Sequence, residues 1–293
     1  RQNRRNGKGA AHDSVRPAPE AWGDQVTMDH WFASDDLSKG CDGMTAALTI
    51  QDRSTDWRAC VPVKQKTVEE TCRVLRHYQG FGALKYLYTD LDAAYKVARE
   101  KLGIMGSSPD PGDKAANGVI EATNRSVQEA VIAILYHSGV PILYWPYAVR
   151  YVAWVHNVTK QKKDGRSPWE RRYGEENLTE VIPFGSTVEF VPNKDSGFDK
   201  PKLHTKTLPG IFLGWEMDVG DVPSKSGHVA AMSGLTGLNL HSGKISSGEG
   251  ERLRAHLRKQ RMVYLQEAAL AKVVEGVTDI KEVTRVMSEH QKD

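Results

Sequence analysis

Three β-rich runs, followed by a regular exchange of helix and strand, constrain this chain more than any other feature. "DQVTMDHWFAS" (24–34) alternates, placing Val26 and Met28 on one side and Thr27 and Asp29 on the other. "MTAALTIQ" and "DWRACVPVK" are two further β-rich runs, and the "DRST" between them reads as a hairpin. Thr67 and Glu70 have the spacing of a capping box, and Val68, Cys72 and Leu75 follow at helical intervals. "ALKYLYTD" (83–90) predicts a fourth strand ending at Asp90, "AAYKVAREKLG" (93–103) a helix stopped by Gly103, and 103–106 a brief fifth strand. A Pro-, Gly- and Asp-rich loop (107–118) leads into another helix, and the apolar "YWPYAVRYVAWVHNVT" (144–159) predicts a buried one. The order β-β-β-α-β-α-β-α-α describes an α/β fold, a mixed five-stranded sheet with flanking helices.

After "GRSPWERRYGE" the texture changes. "STVEFVP" and "PGIFLGWE" are short β-like runs consistent with a small β-barrel. Residues 221–250, rich in Gly and Ser, predict a flexible stretch, and 251–275 turn basic and helical. A length of 293 residues suits one large domain and a smaller one. The expected division is a basic linker (1–22), an α/β core (23–175), a small β domain (180–220) and a flexible then helical basic tail (221–293). The start at a basic stretch without Met suggests a piece of a longer polypeptide. With no run of eighteen apolar residues and no signal-peptide pattern, neither a membrane span nor secretion is expected. Cys41, Cys60 and Cys72 form no CxxC pair, which suggests a reducing compartment and argues against a structural zinc site here.

The net charge is only +3, but cations gather at the ends. Residues 1–20 hold five Lys or Arg against two acids, and "RLRAHLRKQR" (252–261) holds Arg252, Arg254, Arg258, Lys259 and Arg261. Basic ends suit a polyanion, because each cation placed on a phosphate releases counterions; solubilising tails look the same.

Three carboxylates stand where chemistry could use them: Asp29 mid-strand, Asp90 at the end of the fourth strand, and Glu121 in the first turn of a helix. If the first and fourth strands are neighbours and that helix packs beside them, the three converge and need cations. Hard divalent ions such as Mg²⁺ or Mn²⁺ prefer oxygen ligands, and two ions about 3.5–4 Å apart can drive phosphoryl transfer. Glu121, Asn124, Arg125 and Gln128 share one helical stripe, while Val127, Val131, Ile134 and Leu135 make the inward one. Plainer readings exist for each: a solvated helix face, an edge-strand acid at Asp29, a helix cap at Asp90 or Asp92. His30 should point away from Asp29 as its strand neighbour, and Trp145, Tyr147, Tyr151 and Trp154 read as core.

"TMDHWF", "LYTDLDAAYKVAREKLGI" and "SSPDPGDKAANGVIEATNRSV" resemble, in order, the three signature blocks of retroelement integrases, and most of all those of Copia-type (Pseudoviridae) polyproteins. "GVPILYWPYAVRYVAWVHN", "KDGRSPWERRYGE" and "IPFGSTVEFVP" with "KTLPGIFLGWE" resemble the segments that follow in that family, so the likeness spans roughly residues 20–218. The resemblance implies a ribonuclease H-like core carrying an Asp29–Asp90–Glu121 metal-binding triad, an SH3-like β-barrel and a basic helical tail. It implies an intracellular, nuclear enzyme with a cytoplasmic particle stage, using two Mg²⁺ or Mn²⁺ ions to process DNA 3′ ends and join them to target DNA. Asn124, Arg125 and Gln128 would face the DNA end, the basic tail residues would bind its backbone, and the enzyme would act as a homo-multimer without membrane or small-molecule substrate. Departures from the pattern are the "LDAA" after Asp90, 30 residues between Asp90 and Glu121, Asp110 and Asp113 in the loop, and no preceding His/Cys module. These leave open a decayed or domesticated DNA-binding protein, and more remotely a nuclease acting on RNA–DNA hybrids.

Overall fold

A computed structural model describes residues 18–33, 38–108, 118–192 and 206–231. The first strand, β1 (Val26–Phe32), pairs antiparallel with β2 (Ala46–Asp52), which pairs antiparallel with β3 (Arg58–Val63). The helix α1 (Val68–Gln79) then crosses over to β4 (Tyr86–Tyr88), parallel to β1, and α2 (Ala93–Leu102) leads to β5 (Met105–Ser107), parallel to β4. The sheet order β3-β2-β1-β4-β5 with only β2 reversed is the ribonuclease H-like arrangement. The fourth strand is shorter than expected: pairing stops at Tyr88, and Asp90 stands in the turn beyond it.

Local chemistry sets the helix ends. Thr67 caps α1 by accepting from the Glu70 N–H at 3.2 Å, and Asp92 caps α2 by accepting from Ala94 N–H at 2.7 Å. Gly103 closes α2 in the left-handed conformation (φ 67°), which a side chain would strain. The helix α3 (Gly118–Ser138) begins three residues before Glu121, and α4 (Trp145–Thr159) follows it.

Alternation along β1 buries both faces of the sheet. Val26 and Met28 join Leu48, Ile50, Val74, Leu75, Tyr78 and Tyr95 in one core cluster under α1 and α2. On the other face Val127, Val131 and Leu135 of α3 meet Trp145, Val149 and Trp154 of α4 over Ala47 and Cys60. Ile134, also expected in the inward stripe, is only partly buried beside them. Each fully buried large side chain contributes about 1.5–3 kcal/mol, so both α3 and α4 are held firmly by packing. Trp145, Tyr151 and Trp154 are core residues, while Tyr147 is partly buried at its margin. Cys41, Cys60 and Cys72 are all free thiols.

A short helix, α5 (Pro168–Tyr173), opens with a Ser167–Glu170 capping box and is followed by a second sheet. Among the described residues this sheet has three antiparallel strands in the order β6 (Thr187–Phe190), β7 (Leu208–Asp218) and β8 (Val222–Ala231). β8 corrects the expectation of a flexible stretch from 221 onward. Its Ser- and Gly-rich sequence is held by pairing with the long β7 and by a docked hairpin tip. At that tip Gly220 N–H donates to His77 O at 2.7 Å, and Tyr173 Oη–H donates to Gly220 O at 2.8 Å. Phe212 and Leu213 of β7 share the α3–α4 core cluster.

Candidate active site

The register Thr27↔Tyr88 between parallel β1 and β4 puts Asp29 two residues further along β1 and Asp90 two residues on from Tyr88, in the turn that ends β4. Burial raises the Asp29 carboxyl, the Asp90 charge raises it further and Glu121 adds to this; a backbone hydrogen bond and Lys66 oppose them, leaving a pKa of about 6. Asp90 and Glu121 thus both act on the charge of Asp29.

Asn124, one turn after Glu121 on α3, is buried, and its Nδ2 donates to Asp29 Oδ2 at 3.2 Å. Its Oδ1 is buried with no partner. Glu121 and Arg125 are exposed, Asn124 is buried between them along the stripe, and Gln128 is half-buried. Asp90 Oδ1 accepts from Asp92 N–H at 3.0 Å, and Ser108 Oγ donates to the Asp90 carbonyl at 2.8 Å, tying the end of β5 to the site. Asp92 is the helix cap already described.

Lys66 was not anticipated. Its Nζ lies 2.9 Å from Asp92 Oδ2 and 3.9 Å from Asp90 Oδ2, and 4.3 Å from the Tyr95 ring centroid. Nothing in "KQKTVEE" marks this lysine, because its partners lie more than twenty residues away. His30 points to the opposite face, as strand alternation requires, with Nδ1 against the Tyr95 hydroxyl. Burial and the nearby Lys66 hold His30 down to about 4, keeping it neutral.

A buried polar chain supports α3 from behind. Thr123 Oγ1 donates to Gln51 Oε1, and Gln51 Nε2 donates to Asp56 Oδ1. Burial alone would raise the Asp56 carboxyl, but the His156 hydrogen bond, Arg58 and Lys160 overcome this and hold it well below its ordinary value. The residue beside Asn124 is thus anchored to β2 and, through Asp56, to α4.

The donors are hard oxygens: the Asp29–Asp90 pair, Glu121 and the unpartnered Asn124 Oδ1. They suit Mg²⁺ or Mn²⁺ by type, and the pair already attracts the Lys66 ammonium. Among the described residues no three Asp, Glu, His or Cys side chains are gathered tightly enough to form a ready metal cage. The loop acids Asp110 and Asp113 and the basic residues Arg252, Arg254, Arg258, Lys259 and Arg261 lie outside the described residues.

A five-stranded sheet of this order, with only β2 reversed, defines a ribonuclease H-like protein. No protein-family model matches the chain. Over 175 residues it is 27% identical to a retrovirus-related Pol polyprotein from transposon RE2 of Arabidopsis thaliana, a match covering 57% of this chain and 12% of that polyprotein. This is the kind of relative that the ordered sequence blocks anticipated. Among solved structures, a simian T-cell lymphotropic virus intasome in complex with the PP2A regulatory subunit B56 gamma aligns with a TM-score of 0.44 at 15% identity, over 73% of this chain and 78% of that one. The HTLV-2 integrase catalytic core domain in complex with magnesium aligns with a TM-score of 0.41 at 16% identity, over 52% of this chain and 98% of that one.

Proposed function

We propose that this chain carries the DNA-joining centre of a retrotransposon integrase. The observation that carries the reading is the carboxylate group itself: Asp29 on β1, with Asp90 in the turn after the neighbouring parallel β4 and Glu121 on α3 both near enough to act on it. Asp29, Asp90 and Glu121 would hold Mg²⁺ or Mn²⁺, two ions in the full reading. The metal, when bound, supplies Lewis-acid activation and neutralises charge at the scissile phosphate.

The remaining work falls to the chain. Asn124 fixes the orientation of Asp29 through its amide hydrogen bond, and the Thr123–Gln51–Asp56 chain fixes α3. Arg125, exposed beside Asn124, offers a forked guanidinium to a DNA phosphate, and Gln128 can reach sugar or base atoms. In strand transfer the oxygen of a DNA 3′-hydroxyl attacks a target phosphorus, a new P–O bond forms, and the displaced 3′-oxygen leaves with a proton. In end processing water takes the attacking role. The tail residues Arg252, Arg254, Arg258, Lys259 and Arg261 would grip the backbone, with affinity falling as salt rises. A core at 23–175, an SH3-like unit beginning near 180 and extended through β8 to Ala231, a homo-multimer bridging two DNA ends and action in the nucleus complete the proposal.

The test is strand transfer of a labelled DNA end into a plasmid in Mg²⁺ or Mn²⁺, with Glu121→Gln alongside. Joined product that disappears in the variant supports the reading. DNA binding that is equal in both proteins, without product in either, favours a DNA-binding protein that has lost catalysis. One observation favours that second reading: Lys66 already bridges Asp90 and Asp92 with a cation.

A further inference from the structure

An open cavity of about 330 Å³ lies at the seam between the core and the second sheet. Pro62 of β3 and Pro146 of α4 wall it on the core side, and Met217 of β7 and His228 of β8 line it on the other. Its volume falls in the range of small-molecule sites. The sheet order puts β3 two strands from β1, and at about 4.8 Å per strand the strand of Pro62 lies about 10 Å from that of Asp29. The cavity is therefore separate from the carboxylates.

One side chain in it lacks what its chemistry requires. Arg150 lines the cavity from α4 and is half-buried, yet among the described residues no hydrogen bond or ion pair reaches its guanidinium. Burial lowers its pKa, and Asp221 opposes this without pairing with it. Asp221 Oδ1 lies instead 3.3 Å from His77 Nε2. A guanidinium carries five N–H donors in a fixed fork, and leaving them unmet in a half-buried place is costly. Beside it the rings of Tyr147 and His228 lie 5.1 Å apart at 57°. Burial lowers the His228 pKa, Glu216 opposes this and Arg150 adds to it, so that ring is neutral at pH 7.

The charge pattern selects among anions. A carboxylate matches the Arg150 fork with two parallel hydrogen bonds. Asp42 and Glu216, exposed acids of the same cavity, would repel a polyanion such as a nucleic-acid backbone. The group that fits has one negative charge on a flat apolar body, set beside the Tyr147 and His228 rings. We propose that this cavity binds a small aromatic monocarboxylate, with Arg150 holding the carboxylate. Such a ligand touches α4 and β3 on one side and β7 and β8 on the other, and so braces the second sheet against the core. Binding there is independent of DNA joining.

The experiment is a thermal melt of the full chain in sodium benzoate, measured against equal sodium chloride, with benzyl alcohol as the uncharged counterpart. Wild type should melt about 2–4 °C higher at about ten times the benzoate dissociation constant, and saturably, while benzyl alcohol leaves it unmoved. Arg150→Gln should weaken benzoate roughly tenfold or more. Glu216→Gln, at an exposed position, should tighten it about twofold by removing a like charge, and it keeps the proposal testable if Arg150→Gln does not fold. No saturable shift in wild type overturns the proposal, as does an equal shift in Arg150→Gln, in benzyl alcohol or in inorganic phosphate. Where Arg150→Gln does not fold, unchanged affinity in Glu216→Gln overturns it as well. Strand transfer is not read in this assay, so each of these failures leaves the DNA-joining reading standing.

Discussion

Replacing Asp29 by Asn should stabilise this protein at neutral pH, although it removes a proposed catalytic group. The cause is the carboxyl's surroundings: burial first, then the Asp90 charge, lift its pKa from 3.8 to about 6. The sign follows from proton counts. Below about pH 4 both folded and unfolded chains hold the proton, and the penalty is absent. Between about pH 4 and 6 the unfolded chain releases it while the folded chain keeps it, so stability falls as pH rises. Above about 6 the full penalty stands. The rise corresponds to at most about 3 kcal/mol. Asp29 is only partly buried, and solvent screening reduces this to roughly 1.5 kcal/mol. Asp29→Asn keeps an oxygen to accept from Asn124 Nδ2, so the hydrogen bond at 3.2 Å survives while the charge goes.

The assay is thermal unfolding of both proteins in EDTA from pH 4.5 to 8.5. The variant should melt about 3–6 °C higher at pH 8, with the gap closing towards pH 4.5. Adding Mg²⁺ at millimolar concentration should raise the wild type more than the variant and narrow the gap at pH 8, since a cation relieves the same repulsion. A gap that does not change between pH 4.5 and 8.5 would refute the reasoning, because it would mean that Asp29 titrates in its ordinary range.

Three other substitutions probe the frame around the site. Gln51→Leu removes a side chain that accepts from Thr123 and donates to Asp56, and should cost about 1–3 kcal/mol in chemical denaturation while lowering strand transfer. Arg172→Lys should lower stability by about 2 kcal/mol, because the Arg172 guanidinium lies 4.2 Å from the Trp22 ring centroid and 4.5 Å from that of Trp57, and donates to Tyr78 O at 2.9 Å, a planar fit that an ammonium cannot repeat. Lys66→Gln should tighten Mn²⁺ binding by about fivefold in calorimetry, since it removes a cation competing for Asp90; unchanged or weaker binding would assign Lys66 to the DNA phosphate instead.

Much of this arrangement was legible because it is written locally. Alternation in β1, the Thr67 cap on α1, the Asp92 cap and Gly103 stop of α2, and the apolar stripe of α3 each depend on residues within a few positions of one another. Asp29 stood out for the opposite reason: an acid inside a strand that wants apolar residues is a conflict between local and global preference, and such conflicts are where functional sites are sought. What stayed hidden depends on partners far along the chain. Gln51 meets Thr123 across 72 positions, and Lys66 reaches Asp90 and Asp92 only after α1 has crossed the sheet. β8 was hidden because Ser and Gly carry little strand preference of their own, and its pairing with β7 decides the matter.

A second contrast separates two acids of this fold, Asp56 and Asp29. Asp56 is buried but surrounded by Arg58, His156 and Lys160, so its charge is answered and its pKa falls. Asp29 is partly buried beside two more acids, and the backbone hydrogen bond and Lys66 that oppose them fall short, so its pKa rises. A fold selected for stability alone would give Asp29 a cation of its own; instead Lys66, which acts on it, is committed at 2.9 Å to Asp92. The unmet charge is what an external cation, and the phosphate that travels with it, would satisfy.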